Sequence, residues 1–435
     1  MRLPATLRAL QYRNFQLFFG GQLISLIGTW MQTVAQAWLV YRLTKSSMLL
    51  GGIGFASQIP VFLLSPPGGI VADRYSRRKV VIATQTASML LAFALALLTL
   101  TGTVQIWHIF VLSAALGVVN AFDIPARQAF IVEMVGRTDL MNAIALNSSM
   151  FNASRVVGPA IAGITVAAVG EGWCFFANAV SYIAVIAGLF AMRVPPTKRV
   201  TDGGSPIAHI VEGFRFIVQN QPVHALLMLL GVVSVTGVPY TVLMPIFADR
   251  ILHGGAAALG WLMGATGVGA LAGALLLASR EELKGLSRWV AMSAIGFGAL
   301  LVAFGFSRVY WLSLVILVPV GFAVMIEGGS SNTLIQSMVP DRLRGRVMSV
   351  YSMMFMGMAP IGSLLAGWAA DRMGAPMTVA VGGVMCVAAA AVFWRFLPHF
   401  RVHARRLIVA QQMAAGDPPQ EMTGGSLALE AGDTQ

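Results

Sequence analysis

The chain has 435 residues, of which 57% are hydrophobic and 11% charged, with a formal net charge of +12; its mean hydropathy is +0.77. No water-soluble domain of this size has that composition, so enzymes and binding modules built around one soluble core are excluded. The positive charge alone would also fit nucleic acid, but its distribution along the chain argues against that partner.

Mostly apolar runs of roughly 20 residues, enough to cross about 30 Å of hydrocarbon, can be laid out from Phe15, Ser47, Val80, Ile106, Asn142 and Gly172. After a polar gap, six more begin near Pro222, Ala256, Trp289, Tyr310, Val347 and Pro376, twelve in all. They must be helices, because a lone strand leaves its backbone unpaired in lipid. The fold class expected is an all-α membrane protein of two six-helix bundles. With the N-terminus in the cytoplasm, nearly every Lys and Arg falls on the cytoplasmic side, notably Arg2, Arg8, Arg13, Arg74, Arg77, Arg78, Lys79, Arg342, Arg344, Arg346, Arg401, Arg405 and Arg406. Only Arg42, Lys45, Arg250, Arg308 and Arg372 fall outside, and Arg155 lies within a span. This bias places both termini in the cytoplasm. The first span reads as a retained anchor, since no small-residue cleavage site follows it.

The stretch Gly117 to Gly163 recurs without a gap as Gly321 to Gly367. Gly117 matches Gly321, Ile131 matches Ile335, Met134-Val135 match Met338-Val339, Ser148 matches Ser352 and Met150-Phe151 match Met354-Phe355. Gly158 matches Gly362, and Ala162-Gly163 match Ala366-Gly367. In this register Asp123 falls on Glu327. Two like halves in a bilayer are the usual architecture of secondary transporters, with the substrate held between the repeats. The expected divisions are residues 1–193, a linker at 194–221, residues 222–398, and a cytoplasmic, disordered tail at 399–435. The linker contains Pro195-Pro196 and then Ile207, Ile210, Val211, Phe214, Ile217 and Val218 on one helical face, a segment expected to lie flat in the interface. A short soluble helix packed on the loops is the alternative.

Candidate residues follow the spans. Gln22, Ser25, Thr29, Gln32 and Gln36 recur at steps of three and four, a polar stripe expected to line a central cavity with Asn147, Ser148 and Asn152. Interhelical hydrogen bonding is the competing reading. Arg155 sits well inside the fifth span, where a cation costs roughly 2.5–3.5 kcal/mol on insertion scales, so it must face water or the bundle interior. An anion-attracting role in the cavity and a fixed pair with Asp123 both remain open. Asp123 has Arg74 and Arg77 as expected partners, and Glu327 has a basic residue such as Arg280. Either acid is a structural pair or a proton carrier. Met353, Met354, Met356 and Met358 with Phe355 form an adaptable apolar wall or ordinary lipid-facing filler. Cys174 and Cys386 imply neither a disulfide nor a metal site. No phosphate loop ending in Gly-Lys-Ser/Thr supports an ATP-driven pump, and the six histidines have no ligand spacing.

Gly69-Ile70-Val71-Ala72-Asp73-Arg74-Tyr75-Ser76-Arg77-Arg78-Lys79 resembles motif A of the major facilitator superfamily, with Ser76 where that family usually has Gly. The resemblance implies a conformational latch of Gly69, Asp73, Arg74, Arg77 and Arg78 with Asp123, closed in the outward-facing state. Gly158-Pro159-Ala160-Ile161-Ala162-Gly163 resembles the antiporter motif of that superfamily's exporters, and implies export. With Asp123 to Phe130, Leu140 to Asn147 and Asn152 to Pro159, the chain is similar to the branch containing the enterobactin exporter and related secretion permeases. That resemblance implies proton-coupled export of a small organic molecule, a siderophore among the candidates, through a bacterial cytoplasmic membrane. The superfamily's usual Arg before Gly117 is Ser113 here, which leaves Asp123 and Glu327 to titrate. A broad drug-efflux pump is the second reading and a non-transporting membrane sensor or assembly factor the third. Beyond substrate, protons and membrane lipid, a monomer without cofactor or metal is expected.

Overall fold

The computed structural model describes residues 5–136, 138–193, 206–280 and 285–415. Among them every regular element is a helix, and twelve helices are long and apolar enough to cross a membrane. A short 3-10 turn, Ala5–Gln11, precedes α1 (Arg13–Thr44), α2 (Ser47–Arg74), α3 (Arg77–Leu100), α4 (Ile106–Val135), α5 (Leu140–Val169) and α6 (Glu171–Ala191). After α7 (Pro206–Gln219), the seventh span is α8 (Gln221–Val232) and α9 (Tyr240–Ile246), each followed by one π-helical turn, Val233–Gly237 and Phe247–Ile251. Then come α10 (Gly255–Ala278), α11 (Leu286–Phe306) and α12 (Tyr310–Met338). The eleventh span is α13 (Asp341–Ser352), a π-turn at Met353–Gly357 and α14 (Met358–Met373); α15 (Ala375–Ala415) completes the chain.

Apolar side chains gain nothing by association within hydrocarbon, so helix pairs here depend on close backbone approach, and glycine supplies it. Gly21 and Gly28 admit α6 onto α1, where a Cβ at Gly28 would strike Asn178 and Ser181. Within the first six spans α1 packs on α5 and α6, α2 on α4, and α3 on α4 and α6; later, α10 packs on α12 and α11 on α12 and α15. The sequence repeat reappears as repeated contacts. Gly117 seats α4 on the Ser57 carbonyl of α2, and its mate Gly321 seats α12 on the Thr266 carbonyl of α10. Gly158 faces the Ile27 carbonyl of α1, and Gly362 faces the Val235 carbonyl of the seventh span.

Two seams join the halves: α5 lies against α10 and α2 against α14. In the first, Gly163 meets Gly260, and the Pro159 and Arg155 carbonyls lie over Gly260 and Gly267. In the second, Gly51 meets Gly367 and the Ser363 carbonyl. Both tighten toward the end where α1 finishes and α2 begins. There Tyr41 donates to Asp249 at 2.9 Å and Lys45 pairs with the same carboxylate at 3.0 Å, fastening α1 to the seventh span. Arg42 and Glu171 form a two-pronged pair at 2.7 and 3.1 Å beside them. This end is closed.

Two features depart from expectation. The segment from 399 is not a disordered tail as far as it is described: α15 continues through Pro398 to Ala415, beyond which the tail lies outside the described residues. Phe393, Leu397, Phe400, Ala404 and Ile408 are buried along one face, so apolar packing carries the helix past the membrane boundary. The helical linker segment packs α7 on α13, where Gly213 meets the Arg346 carbonyl and Glu212 pairs with Arg346. Pro195-Pro196 and the side chains of Ile207, Ile210 and Val211 lie outside the described residues.

Candidate functional site

The polar stripe of α1 is turned mainly toward other helices. Gln22, Ser25 and Gln32 are buried. Gln32 accepts from Asn178 of α6 at 2.7 Å, and Gln36 donates to Ser113 of α4 at 2.9 Å. Thr29 is half-buried and donates to the Ser25 carbonyl. Gln32 and Gln36 therefore serve interhelical bonding, whereas Thr29 bonds within its own helix and the buried Gln22 oxygen has no partner among the described residues. Gly21 and Gly28 lie on the same side of α1 and draw α6 onto that face.

The adjoining face carries Trp30, which sequence reading missed. Its ring meets Phe151 edge-on at 5.8 Å between centroids, and the Arg155 guanidinium lies over it at 5.8 Å. Arg155 is half-buried, as are Asn147 and Asn152, while Ser148 and Phe151 are exposed. The Tyr240 phenol of α9 is buried within reach of the Arg155 charge, with Thr266 beside it. Arg155 and Trp30 thus meet where α5 begins its seam with α10. The open surface of α5 runs from there toward the end opposite the closed one. Phe355 and Met356, on the π-turn of the eleventh span, are exposed as well, and Phe355 stacks on Tyr351. The arrangement can offer an anionic, aromatic molecule one cation, flat rings and the half-buried amides of Asn147 and Asn152.

Asp123 does not pair with Arg74, Arg77 or Arg155. It is 4% exposed and receives Thr84 at 2.7 Å, Gln85 at 3.0 Å and Arg127, one turn along its own helix, at 3.0 Å. Arg127 is the nearer cation because both residues face α3, which supplies the other two donors. Arg77 binds Asp73 at 3.6 Å, Glu133 at 3.2 Å and the Ala129 carbonyl at 3.0 Å. Glu133 belongs to α4 as well, so this pair ties the start of α3 to the end of α4. Arg78 donates to the Leu189 and Phe190 carbonyls at the end of α6. The motif thus ties α3 to α4 and α6, while the Asp73 side chain stays 66% exposed. Gly69 has open space around it; Gly68 makes the close approach, to the Ala121 carbonyl.

Glu327 has no ion pair among the described residues. Its expected partner Arg280 lies 3.8 Å over the Trp289 ring, and both Glu327 carboxyl oxygens are buried, with the Ser331 hydroxyl of the same helix beside them. At the membrane boundary before α1, Tyr12 donates to Asp139 at 2.7 Å, and this hydrogen bond holds its phenol above the ordinary value. Pro159 and Gly163 sit in the α5–α10 seam, and Gly158 packs against α1. Cys174 and Cys386 are free, buried thiols.

Residues 5–416 match the family described as transmembrane secretion effector. Among curated proteins the chain is 26% identical over 380 residues to the staphyloferrin A transporter of Staphylococcus aureus, covering 87% of this chain and 94% of that one. It is 27% identical to the multidrug efflux pump Tap of Mycolicibacterium fortuitum, over 80% of this chain and 87% of the pump. It is 25% identical to the enterobactin exporter EntS of Shigella boydii, over 84% and 86%. Of solved structures, the nucleoside transporter NupG superposes with a TM-score of 0.69 at 13% identity, covering 91% of this chain and 99% of that one. A bacterial homologue of the lysosomal transporter Spinster gives 0.62 at 16%, over 92% and 97%. These structures share the fold.

Proposed function

Because this chain belongs to the transmembrane secretion effector family and is a multi-pass transporter with the major facilitator fold, we propose that it exports an anionic siderophore or similar metabolite across a bacterial cytoplasmic membrane by proton antiport. Both termini lie in the cytoplasm on this reading, so the closed end faces outward and the cavity opens inward. The observation that carries it is Arg155, a lone cation over the Trp30 ring where the two halves meet. A buried or half-buried guanidinium without a carboxylate is poised for an anion brought by the substrate. Motif A fits the cycle: with the cytoplasmic end open, Asp73 is exposed and held by Arg77 of its own half, in a position to engage the opposite half once that end closes. Two relatives named for siderophores, in distant bacteria, support the substrate class.

The expected outcome is that Arg155→Gln and Arg155→Lys abolish export while membrane insertion stays intact. Metabolites inside and outside iron-starved cells, with the gene deleted and then restored, provide the readout. Wild-type export from both variants overturns the role of Arg155, and an unchanged siderophore profile overturns the substrate class. The exposed Phe151, Phe355 and Met356 favour a second reading, efflux of lipophilic drugs; lost resistance to lipophilic cations on deletion would carry it.

A further inference from the structure

The two halves treat one acid differently. In the register of the repeat, Asp123 corresponds to Glu327 and Arg127 to Ser331. Arg127 neutralises Asp123, and Thr84 and Gln85 of α3 complete its shell. In the second half the cation is replaced by a hydroxyl, and no such shell forms. Glu327 is 1% exposed, and apart from the Ser331 hydroxyl beside it on the same helix no described side chain offers its two buried oxygens a hydrogen bond. Tyr351 of α13 does not help, since its hydroxyl donates to the Gly328 carbonyl at 3.0 Å.

The titratable groups that reach Glu327 are Tyr351 and Cys386 of α15, neither of them a cation. Ser331 is the polar side chain beside it on its own helix, and the described residues of α8, α10 and α11 place no charged side chain against it. A bare carboxylate in such a place is uncompensated charge in a low dielectric, which proteins avoid by neutralising the group. The packing therefore accommodates the acid form and excludes the anion. For the anion to form, the pocket between α12, α13 and α15 must open to water.

We propose that Glu327 is the carboxyl that carries the coupling proton, and that Asp123 is a structural ion pair. This rests on the transport reading above and deepens it. The proton binds when Glu327 is reached from outside. It stays on the oxygen while the pocket is sealed with the outer end closed, and it passes to water on the cytoplasmic side as the anion forms. The π-turn at Met353–Gly357, which follows Tyr351 directly, is the element whose movement uncovers it.

The full-length protein tests this in two ways, labelling in liposomes and transport in everted vesicles. A hydrophobic carbodiimide adds to a protonated carboxyl in an apolar site, and mass spectrometry locates the adduct. Glu327 should be modified and Asp123 not, with modification falling as pH rises. Absence of the Glu327 adduct at every pH, or suppression by sodium at constant pH, overturns the assignment. In everted vesicles, with enterobactin as the probe, Glu327→Gln should lose accumulation driven by an acid interior while exchange across the membrane continues. Gradient-driven accumulation by Glu327→Gln equal to wild type overturns the proposal. If the wild-type protein moves no enterobactin, the substrate reading fails, and the carbodiimide result still decides Glu327.

Discussion

At the scale of single residues, Asp123 shows how a charge is kept in a membrane interior. Its carboxylate is stable because three donors converge on it, one of them a guanidinium on the same helix. Asp123→Asn removes the charge and turns one oxygen into a donor facing other donors. The expected loss is about 1–3 kcal/mol, read as a lower melting temperature in detergent, with the pH dependence of export unchanged. The sequence showed which residues were unusual, because a charge in an apolar run is conspicuous. It did not show their partners. Arg127 was in plain view one turn from Asp123, yet Arg74 and Arg77 looked equally near until the helix faces were known. Trp30 was invisible for another reason, since one aromatic among many in an apolar span carries no signal until Arg155 lies over it.

At the scale of elements, the glycine seams decide which conformations the helices can reach. A Cβ on Gly367 would run into the Ser47 carbonyl and the Gly51 backbone, atoms that cannot turn aside. Gly367→Leu is therefore expected to part α2 from α14 and disfavour the closed end; overpacking of this kind typically costs about 1–3 kcal/mol. Spin labels on the first turn of α2 and the last turn of α14 should report a longer distance than in wild type, and an unchanged distance would show that the seam tolerates bulk. The helices were legible from hydropathy alone. Their π-turns in the seventh and eleventh spans were not, because an inserted residue leaves composition and periodicity nearly unaltered. The polar stripe of α1 misled for a related reason: periodicity shows that a face is special but not whether water or a neighbouring helix covers it.

At the scale of the whole molecule, the repeat in the sequence becomes a repeat of contacts, from Gly117 and Gly321 to Gly163 and Gly367. The fold was legible because duplication and charge bias constrain topology before any side chain is placed. The asymmetries laid over that plan, Arg155 against Ala359 and Arg127 against Ser331, are where the two halves have diverged in task. The seams are also crossed: the fifth span leans on the eighth and the second on the eleventh, so each half supplies one surface that only the other can cover. Neither half is then a self-sufficient folding unit, and the covalent link between them matters less than their mutual fit. Two polypeptides cut between residues 194 and 205 and made in the same cell should find each other and purify as a complex, whereas either fragment alone should be cleared by quality-control proteases.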